Sequence, residues 1–146
     1  MLIVAVTKTF PADDVRRLAE LGVRDIGENR DQEAAPKAAA CADLDLRWHF
    51  IGQLQTNKAR SVAQYAHLVH SVDRDRLVAA MATAAERSGR ELGCLVEVSL
   101  QPARGRGGID PAGMLRLADL VETAPNLRLA GLMAVAPLDV DPVPAF

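Results

Sequence analysis

The sequence of 146 residues has few aromatic residues, few cysteines and no long apolar run. Aromatic residues make up 3% of the chain, which argues against the stacking platforms that bind single-stranded nucleic acid. The two cysteines, Cys41 and Cys94, lie far apart without metal-ligand spacing, which favours a reduced, cytoplasmic protein. No run approaches the roughly 18 apolar residues of a transmembrane helix, and the first residues do not have the pattern of a signal peptide.

Charges of the two signs nearly cancel in this chain. Its 17 basic and 19 acidic residues give a formal net charge of -2. We therefore expect neither a nucleic-acid partner nor a membrane partner. Hydrophobic residues make up 49% of the chain, which is enough to build a folded core. The length suits one domain, and we expect residues 1–146 to form a single monomeric domain.

Short apolar runs alternate with segments of helical periodicity. Most of the runs are continuous, which is typical of parallel strands that are covered on both faces. The predicted strands are Leu2–Val6, Val23–Ile26, Trp48–Ile51, His67–Val72, Cys94–Leu100 and Leu127–Val135. The predicted helices are Asp13–Leu21, Asp31–Ala42, Arg74–Ser88 and Pro111–Thr123, and Pro36 is expected to kink or split the second of them.

This alternation predicts an α/β fold of about six βα units. A complete eight-unit barrel needs roughly 200 to 250 residues, so the chain fits either an open doubly wound sheet or part of a (β/α) barrel. In both folds the functional residues lie at the carboxyl ends of the strands. A glycine-rich basic loop at Ala103–Gly108 gives only a weak signal for anion binding, and we expect a solvated loop there.

The first candidate functional residue is Lys8, at the end of the first predicted strand. Strand alternation places Leu2, Val4, Val6 and Lys8 on one face, so the amine ends an apolar row. If that row faces a barrel interior, partial desolvation favours the neutral amine, which attacks an aldehyde to form a Schiff base. The alternative is a lysine that extends into solvent from a strand end.

Polar residues also follow the second predicted strand. Asn29 comes two residues after Gly27, whose missing side chain allows a close approach of the backbone. The segment fits a binding loop or a helix-capping turn equally well.

The third predicted strand contains His49, which points to the face opposite Trp48 and Phe50. A lone strand histidine is either a hydrogen-bonded core residue or part of a site. The polar residues that follow this strand favour a site, and Thr56 among them is a candidate helix cap.

Five segments carry a more specific pattern, in order and at suitable spacing. They are LIVAVTKTFP at 2–11, GEN at 27–29, WHFIGQLQTNK at 48–58, HSVD at 70–73 and GLMAV at 131–135. Together they resemble the pyridoxal phosphate homeostasis proteins, a family similar to the N-terminal barrel domain of alanine racemase standing alone. The resemblance spans nearly the whole chain, and the tryptophan-histidine segment is its most specific part.

The resemblance implies a (β/α) TIM-type barrel with pyridoxal 5'-phosphate held as a Schiff base on Lys8. It also implies that Asn29 and His49 are polar positions around the cofactor. Members of that family bind the cofactor without an established catalytic activity and influence vitamin B6 and amino-acid homeostasis. The expected function is therefore that of a non-catalytic cofactor-binding protein.

Two alternatives stay open. A racemase-like enzyme needs acid/base groups on both faces of the cofactor; Lys8 could serve one, but the single tyrosine, Tyr65, does not follow a predicted strand. The other alternative is a fragment with little or no cofactor binding. Family members have a helical segment before the lysine strand and two further strands that hold phosphate-binding groups, so the resemblance implies a barrel shortened at both ends.

Overall fold

Six parallel strands form one sheet in the part of the chain that the computed structural model describes, residues 1–100 and 107–136. Neighbouring strands pair in sequence order, and every pair is parallel. β1 and β6 are the two edges of this sheet within the described residues, so the predicted partial barrel takes the form of an open sheet. The strands are β1 (Ala5–Val6), β2 (Asp25–Glu28), β3 (Arg47–Phe50), β4 (Ala66–Val72), β5 (Leu92–Glu97) and β6 (Leu127–Met133).

Helices connect consecutive strands, as the predicted βα units require. They are α1 (Ala12–Glu20), α2 (Asp31–Ala40), α3 (Ala59–Tyr65), α4 (Asp75–Ser88) and α5 (Met114–Thr123), with short 3₁₀ turns at Thr56–Lys58 and Pro111–Gly113. None of the helices in the described ranges is long and apolar enough to cross a membrane. Most of the predicted loop at Ala103–Gly108 lies outside the described residues.

The first strand is shorter than the predicted Leu2–Val6. Ala5 pairs with Ile26 and Val6 with Gly27, and β2 begins one residue before Ile26. The residues that precede Val4 would therefore lie beyond the start of β2, where the neighbouring chain is not a strand.

The predicted split at Pro36 does not occur, because α2 runs through this residue as one helix. Proline removes a single N–H bond to the carbonyl four residues earlier. The alanines around it favour the helix strongly enough to continue for four more residues.

The apolar core lies on the side of the sheet that the helices cover. A large cluster of buried side chains includes Leu77 and Met81 of α4 and Leu117 of α5. A smaller cluster joins Val15 of α1 to Ile26 and Trp48 of β2 and β3. The helices therefore bury one face of each strand and leave the other face to the interior of the sheet's curve.

Two leucines of α5 test this assignment of the core. Leu117 is fully buried, whereas Leu115 is 71% exposed. Replacing Leu117 with alanine removes buried methyl groups and leaves a cavity, so it is expected to lower the free energy of unfolding by about 2–5 kcal/mol. The matched control Leu115→Ala should change it by only about 0.5 kcal/mol. Urea unfolding measures both, and equal losses would contradict the assignment.

Candidate functional site

The face of the sheet opposite the helices, called the inner face below, is defined by contacts between β1, β2 and β3. A side chain at Gly27 would point towards Val4, Val6 and Ile51. Gly27 also lies in register with Val6 and His49. Because paired residues of parallel strands face the same way, His49 belongs to the inner face, opposite its neighbours in the core.

Lys8 follows β1 at its carboxyl end. The N–H of Thr7 still bonds to the carbonyl oxygen of Gly27 at 3.0 Å, so the strand ladder reaches Thr7. Thr7 is buried on the helix side, and Lys8 follows it as the second residue of the turn that Thr7 opens. Strand alternation predicts that the Lys8 side chain leaves on the inner side. The side chain of Lys8 is exposed, which corrects the expected partial desolvation. The reason is that β1 is an edge strand, with no strand beside it on its free side in the described residues.

Asn29 follows β2 at the same end of the sheet and is half-buried. Its backbone carbonyl passes close to Gly52, where an added Cβ would lie only 2.1 Å from the Asn29 oxygen. Glycine is therefore required at position 52 for the loops after β2 and β3 to approach each other. The sequence predicts a close backbone approach at Gly27, but the tighter approach lies at Gly52.

A pocket of about 520 Å³ opens between these two loops. Asn29, Phe50, Gln53 and Lys58 contribute to its lining, whereas Lys8 and His49 do not. Thr56 begins the 3₁₀ turn that leads to α3, and its side chain does not cap either helical segment. The predicted capping role of Thr56 is therefore wrong, and the polar residues after β3 line the pocket instead.

His49 lies deeper in the sheet than Lys8 and is buried. Its Nε2 is 2.9 Å from Oδ1 of Asp25, and its Nδ1 is 2.9 Å from Nε2 of His70. A carboxylate only accepts hydrogen bonds, so Nε2 of His49 carries a proton and donates it to Asp25. A single proton must then lie between the two histidine rings. Both ring nitrogens of His49 are therefore hydrogen-bonded on the inner face. His49 is in register with Val6, two residues before Lys8.

Arg47 completes this polar group from the start of β3. Its guanidinium donates to both oxygens of Asp25, with an Nε–Oδ1 distance of 2.7 Å. The guanidinium and the His49 ring together lower the pKa of Asp25 to about 2. Burial and the neighbouring His49 lower the pKa of His70 to about 4, so His70 is neutral at physiological pH.

Two further interactions at the carboxyl ends of the strands were not predicted from the sequence. Glu97, at the end of β5, is buried and accepts a 2.6 Å hydrogen bond from Nε2 of Gln53. Burial raises the pKa of this carboxyl group. Glu28 forms a buried ion pair with Lys37 of α2. Glu97 lies inside the predicted apolar run Cys94–Leu100, and Glu28 lies in the GEN segment, but neither position identifies its partner in the sequence.

Residues 2–142 match the family model of the alanine racemase N-terminal domain. The chain belongs to this family. The pyridoxal phosphate homeostasis protein of Mycobacterium tuberculosis H37Rv is 42% identical over 163 residues, which cover 99% of this chain and 63% of the relative. The predicted resemblance to pyridoxal phosphate homeostasis proteins is confirmed. The chain spans about 63% of the length of this relative.

Solved structures of the family support the same fold. PipY from Synechococcus elongatus PCC7942, solved without pyridoxal phosphate, has a TM-score of 0.88 at 37% identity and matches 94% of this chain and 65% of PipY. PipY with pyridoxal phosphate bound has a TM-score of 0.85, also at 37% identity, and matches 94% of this chain and 64% of PipY. Alanine racemase from Streptomyces lavendulae is only 19% identical over 99% of this chain and 40% of the racemase; its TM-score of 0.77 shows the shared fold. The roles assigned to Lys8, Asn29 and His49 stay predictions.

The Asp25 group predicts a specific dependence of stability on pH. Its pKa is lower in the folded chain than the ordinary value of 3.8, so the ionised carboxylate stabilises the fold above about pH 4 and loses this effect as the pH falls towards 2. Asp25→Asn should lower the free energy of unfolding at pH 7 by about 2 kcal/mol, after allowance for the partly exposed Arg47. The difference from the unsubstituted chain should shrink between about pH 4 and pH 2.

The control for this prediction is Asp43→Asn, which removes the partner of Arg16 in an exposed ion pair. Its effect at pH 7 should be clearly smaller than that of Asp25→Asn, because solvent screens an exposed ion pair. Urea unfolding across the pH range measures all three proteins. A constant difference between Asp25→Asn and the unsubstituted chain from pH 7 to pH 2 would contradict the role of the ionised carboxylate.

Proposed function

We propose that this chain binds pyridoxal 5'-phosphate as a Schiff base on Lys8 and acts, without catalysis of its own, in vitamin B6 and amino-acid homeostasis. Its curated relatives are named for pyridoxal phosphate homeostasis, and PipY has been solved with pyridoxal phosphate bound. Under this proposal residues 1–146 form one cofactor-binding domain, incomplete relative to the family. The monomeric state, the cytoplasmic location and the lack of a nucleic-acid partner stay predictions from the sequence.

The observation that carries the proposal is that the three lysines of the chain differ in exposure and in their ion pairs. Lys37 is buried in its ion pair with Glu28. Lys58 is partly exposed, and its amine lies 3.9 Å from Asp31. The amine of Lys8 has neither an ion pair nor a hydrogen bond within the described ranges, and it lies at the carboxyl end of β1. Lys8 is therefore the lysine best suited to meet an aldehyde.

Lys8 and Asn29 are the residues at this end of the sheet that would meet the cofactor under this proposal. The amine of Lys8 would supply the nitrogen that condenses with the aldehyde carbon of the cofactor, with the aldehyde oxygen lost as water. The bound group would supply an electron-withdrawing ring. The exposed Lys8 leaves room for that ring, and the amide of Asn29 follows the adjacent strand at the same end. In this proposal Asn29 and His49 are polar positions around the cofactor, and bonds to Asp25 and His70 hold the His49 ring on the inner face.

The position of the single tyrosine favours a carrier over a racemase. Racemisation needs proton-transfer groups on both faces of the cofactor. Tyr65 belongs to α3, packs against the core on the helix side and donates a 3.4 Å hydrogen bond to Asp31. Burial raises the pKa of its hydroxyl, which further disfavours proton transfer by this residue. Tyr65 thus lies on the wrong side of the sheet to face Lys8.

Lys8→Ala tests the attachment point. Mixing the unsubstituted protein with pyridoxal 5'-phosphate should produce the visible absorption band of a Schiff base, and Lys8→Ala should abolish it. Lys58→Ala is the matched control, because it removes the other partly accessible lysine and should keep the band. Reduction with borohydride followed by peptide mass spectrometry then identifies the modified amine.

The expected result is a label on Lys8 in the unsubstituted protein and in Lys58→Ala. A label on Lys58 or on the amino group of Met1, or a band that survives Lys8→Ala, would refute the assignment. No band at all in a correctly folded protein would favour the alternative of a chain with little or no cofactor binding.

A racemisation assay tests the non-catalytic part of the proposal. With saturating pyridoxal 5'-phosphate and L-alanine, we expect no formation of D-alanine above the rate of free cofactor, because Tyr65 packs on the helix side and is not placed to transfer a proton opposite Lys8. Chiral chromatography measures the product, and Lys8→Ala supplies the background. Turnover that depends on Lys8 would favour the racemase-like enzyme.

A further inference from the structure

The turn that carries Lys8 is conformationally strained. The N–H of Phe10 bonds to the carbonyl oxygen of Thr7 at 3.0 Å and closes a four-residue turn. Thr9, in the third position of this turn, has a φ of 70°. A β-branched residue rarely adopts such a positive φ, so this turn persists only if the surrounding structure holds it.

Three residues hold the turn from the helix side of the sheet, and we call Thr7, Glu28 and Lys37 the turn anchor. The hydroxyl of Thr7 donates to Oε1 of Glu28 at 2.6 Å. The amine of Lys37 donates to the backbone carbonyl of Thr7 at 2.8 Å and also to the same oxygen of Glu28. All three residues are buried. A weaker bond of 3.3 Å joins the N–H of Thr9 to Glu33.

We propose that Glu28 and Lys37 are positioning residues for Lys8: their buried ion pair fixes Thr7 on the helix side, so that the next side chain is presented at the inner side of the sheet's carboxyl end. This inference rests on the proposed function, because it concerns how the Lys8 amine meets the cofactor. Neither Glu28 nor Lys37 touches the cofactor in this account.

The anchor acts on orientation because it engages both polar groups of Thr7 that face the helices. The side-chain hydroxyl is bound to Glu28, and the backbone carbonyl is bound to Lys37 and to Phe10. Rotation of the strand end would break the hydrogen bond from the Thr7 hydroxyl to Glu28 and the bond from Lys37 to the Thr7 carbonyl, and the loss of bonds to buried charged groups is costly. A shift of one residue would exchange the two faces and send Lys8 towards the helices. The ion pair therefore selects one of two possible directions for the amine.

The test uses variants that leave Lys8 unchanged. The double variant Glu28→Gln, Lys37→Met removes both charges together, so that no buried charge is left unpaired. The variant Thr7→Val removes only the hydroxyl and keeps the side-chain shape, and Thr7→Ser restores the hydroxyl. The stability-matched control is Val121→Ala, which weakens the buried core at α5 and leaves the anchor intact.

Two measurements distinguish a change in the orientation of Lys8 from a loss of folding and from a loss of reactivity of its amine. The first is the rate of Schiff-base formation with pyridoxal 5'-phosphate, together with the share of the borohydride-trapped label on Lys8. The second is the rate at which a small, uncharged, amine-reactive reagent acylates Lys8. Misorientation of a reacting group costs up to about 100-fold in rate, so we expect the double variant to react about 10- to 100-fold more slowly with the cofactor. Acylation of the exposed Lys8 should change less than about two-fold.

The expected pattern is slow cofactor attachment and a larger share of label on Lys58 in the double variant and in Thr7→Val, with recovery in Thr7→Ser. Val121→Ala should react like the unsubstituted protein. Equal rates in the double variant and the unsubstituted protein would overturn the positioning role while leaving Lys8 as the attachment point. Equal slowing in Val121→Ala would also overturn it, since the effect would then follow from stability alone. Failure of the proposed function itself is recognised separately, by a band that survives Lys8→Ala.

Discussion

The parallel register of β1, β2 and β3 is the constraint on which the rest of the structure depends. Val6, Gly27 and His49 lie side by side, and the chain leaves all three strands at the same edge of the sheet. Lys8 and Asn29 occupy equivalent positions beyond two neighbouring strands for this reason alone. With antiparallel pairing, the same residues would lie at opposite ends of the sheet.

The two faces of the sheet differ in what they contain. The helix side of β2 and β3 holds Ile26 and Trp48 in the core, but it also contains the charged turn anchor next to β1. The inner face holds the group around Asp25, with hydrogen bonds to Arg47 and His49. Both polar groups are internally bonded, so each limits the orientation of the strand that contains it. Lys8, at the carboxyl end of β1, has no such bonds among the described residues.

The order of the six strands and of α1, α2, α4 and α5 could be predicted from the sequence, because continuous apolar runs and helical stripes are local signals. The short helix α3 was not among the predicted helices. The opposite orientations of His49 and Trp48 followed from strand alternation alone. The exposure of Lys8 could not be predicted, since it depends on whether another strand lies beside β1. The pairing of Glu28 with Lys37 was equally hidden, because it depends on how closely α2 packs against the sheet. The predicted split at Pro36 was wrong, because the surrounding alanines outweigh the loss of one hydrogen bond.

The distribution of the basic residues has a chemical consequence. Three of the 17 are lysines and the others are arginines, and two of those lysines are engaged with Glu28 and Asp31. A guanidinium group stays protonated at any physiological pH, so it attracts phosphate without competing as a nucleophile for a carbonyl carbon. Most of the positive charge of this chain is therefore inert towards reactive carbonyl compounds. Such a composition confines condensation to very few atoms and protects the remaining surface from indiscriminate adduct formation.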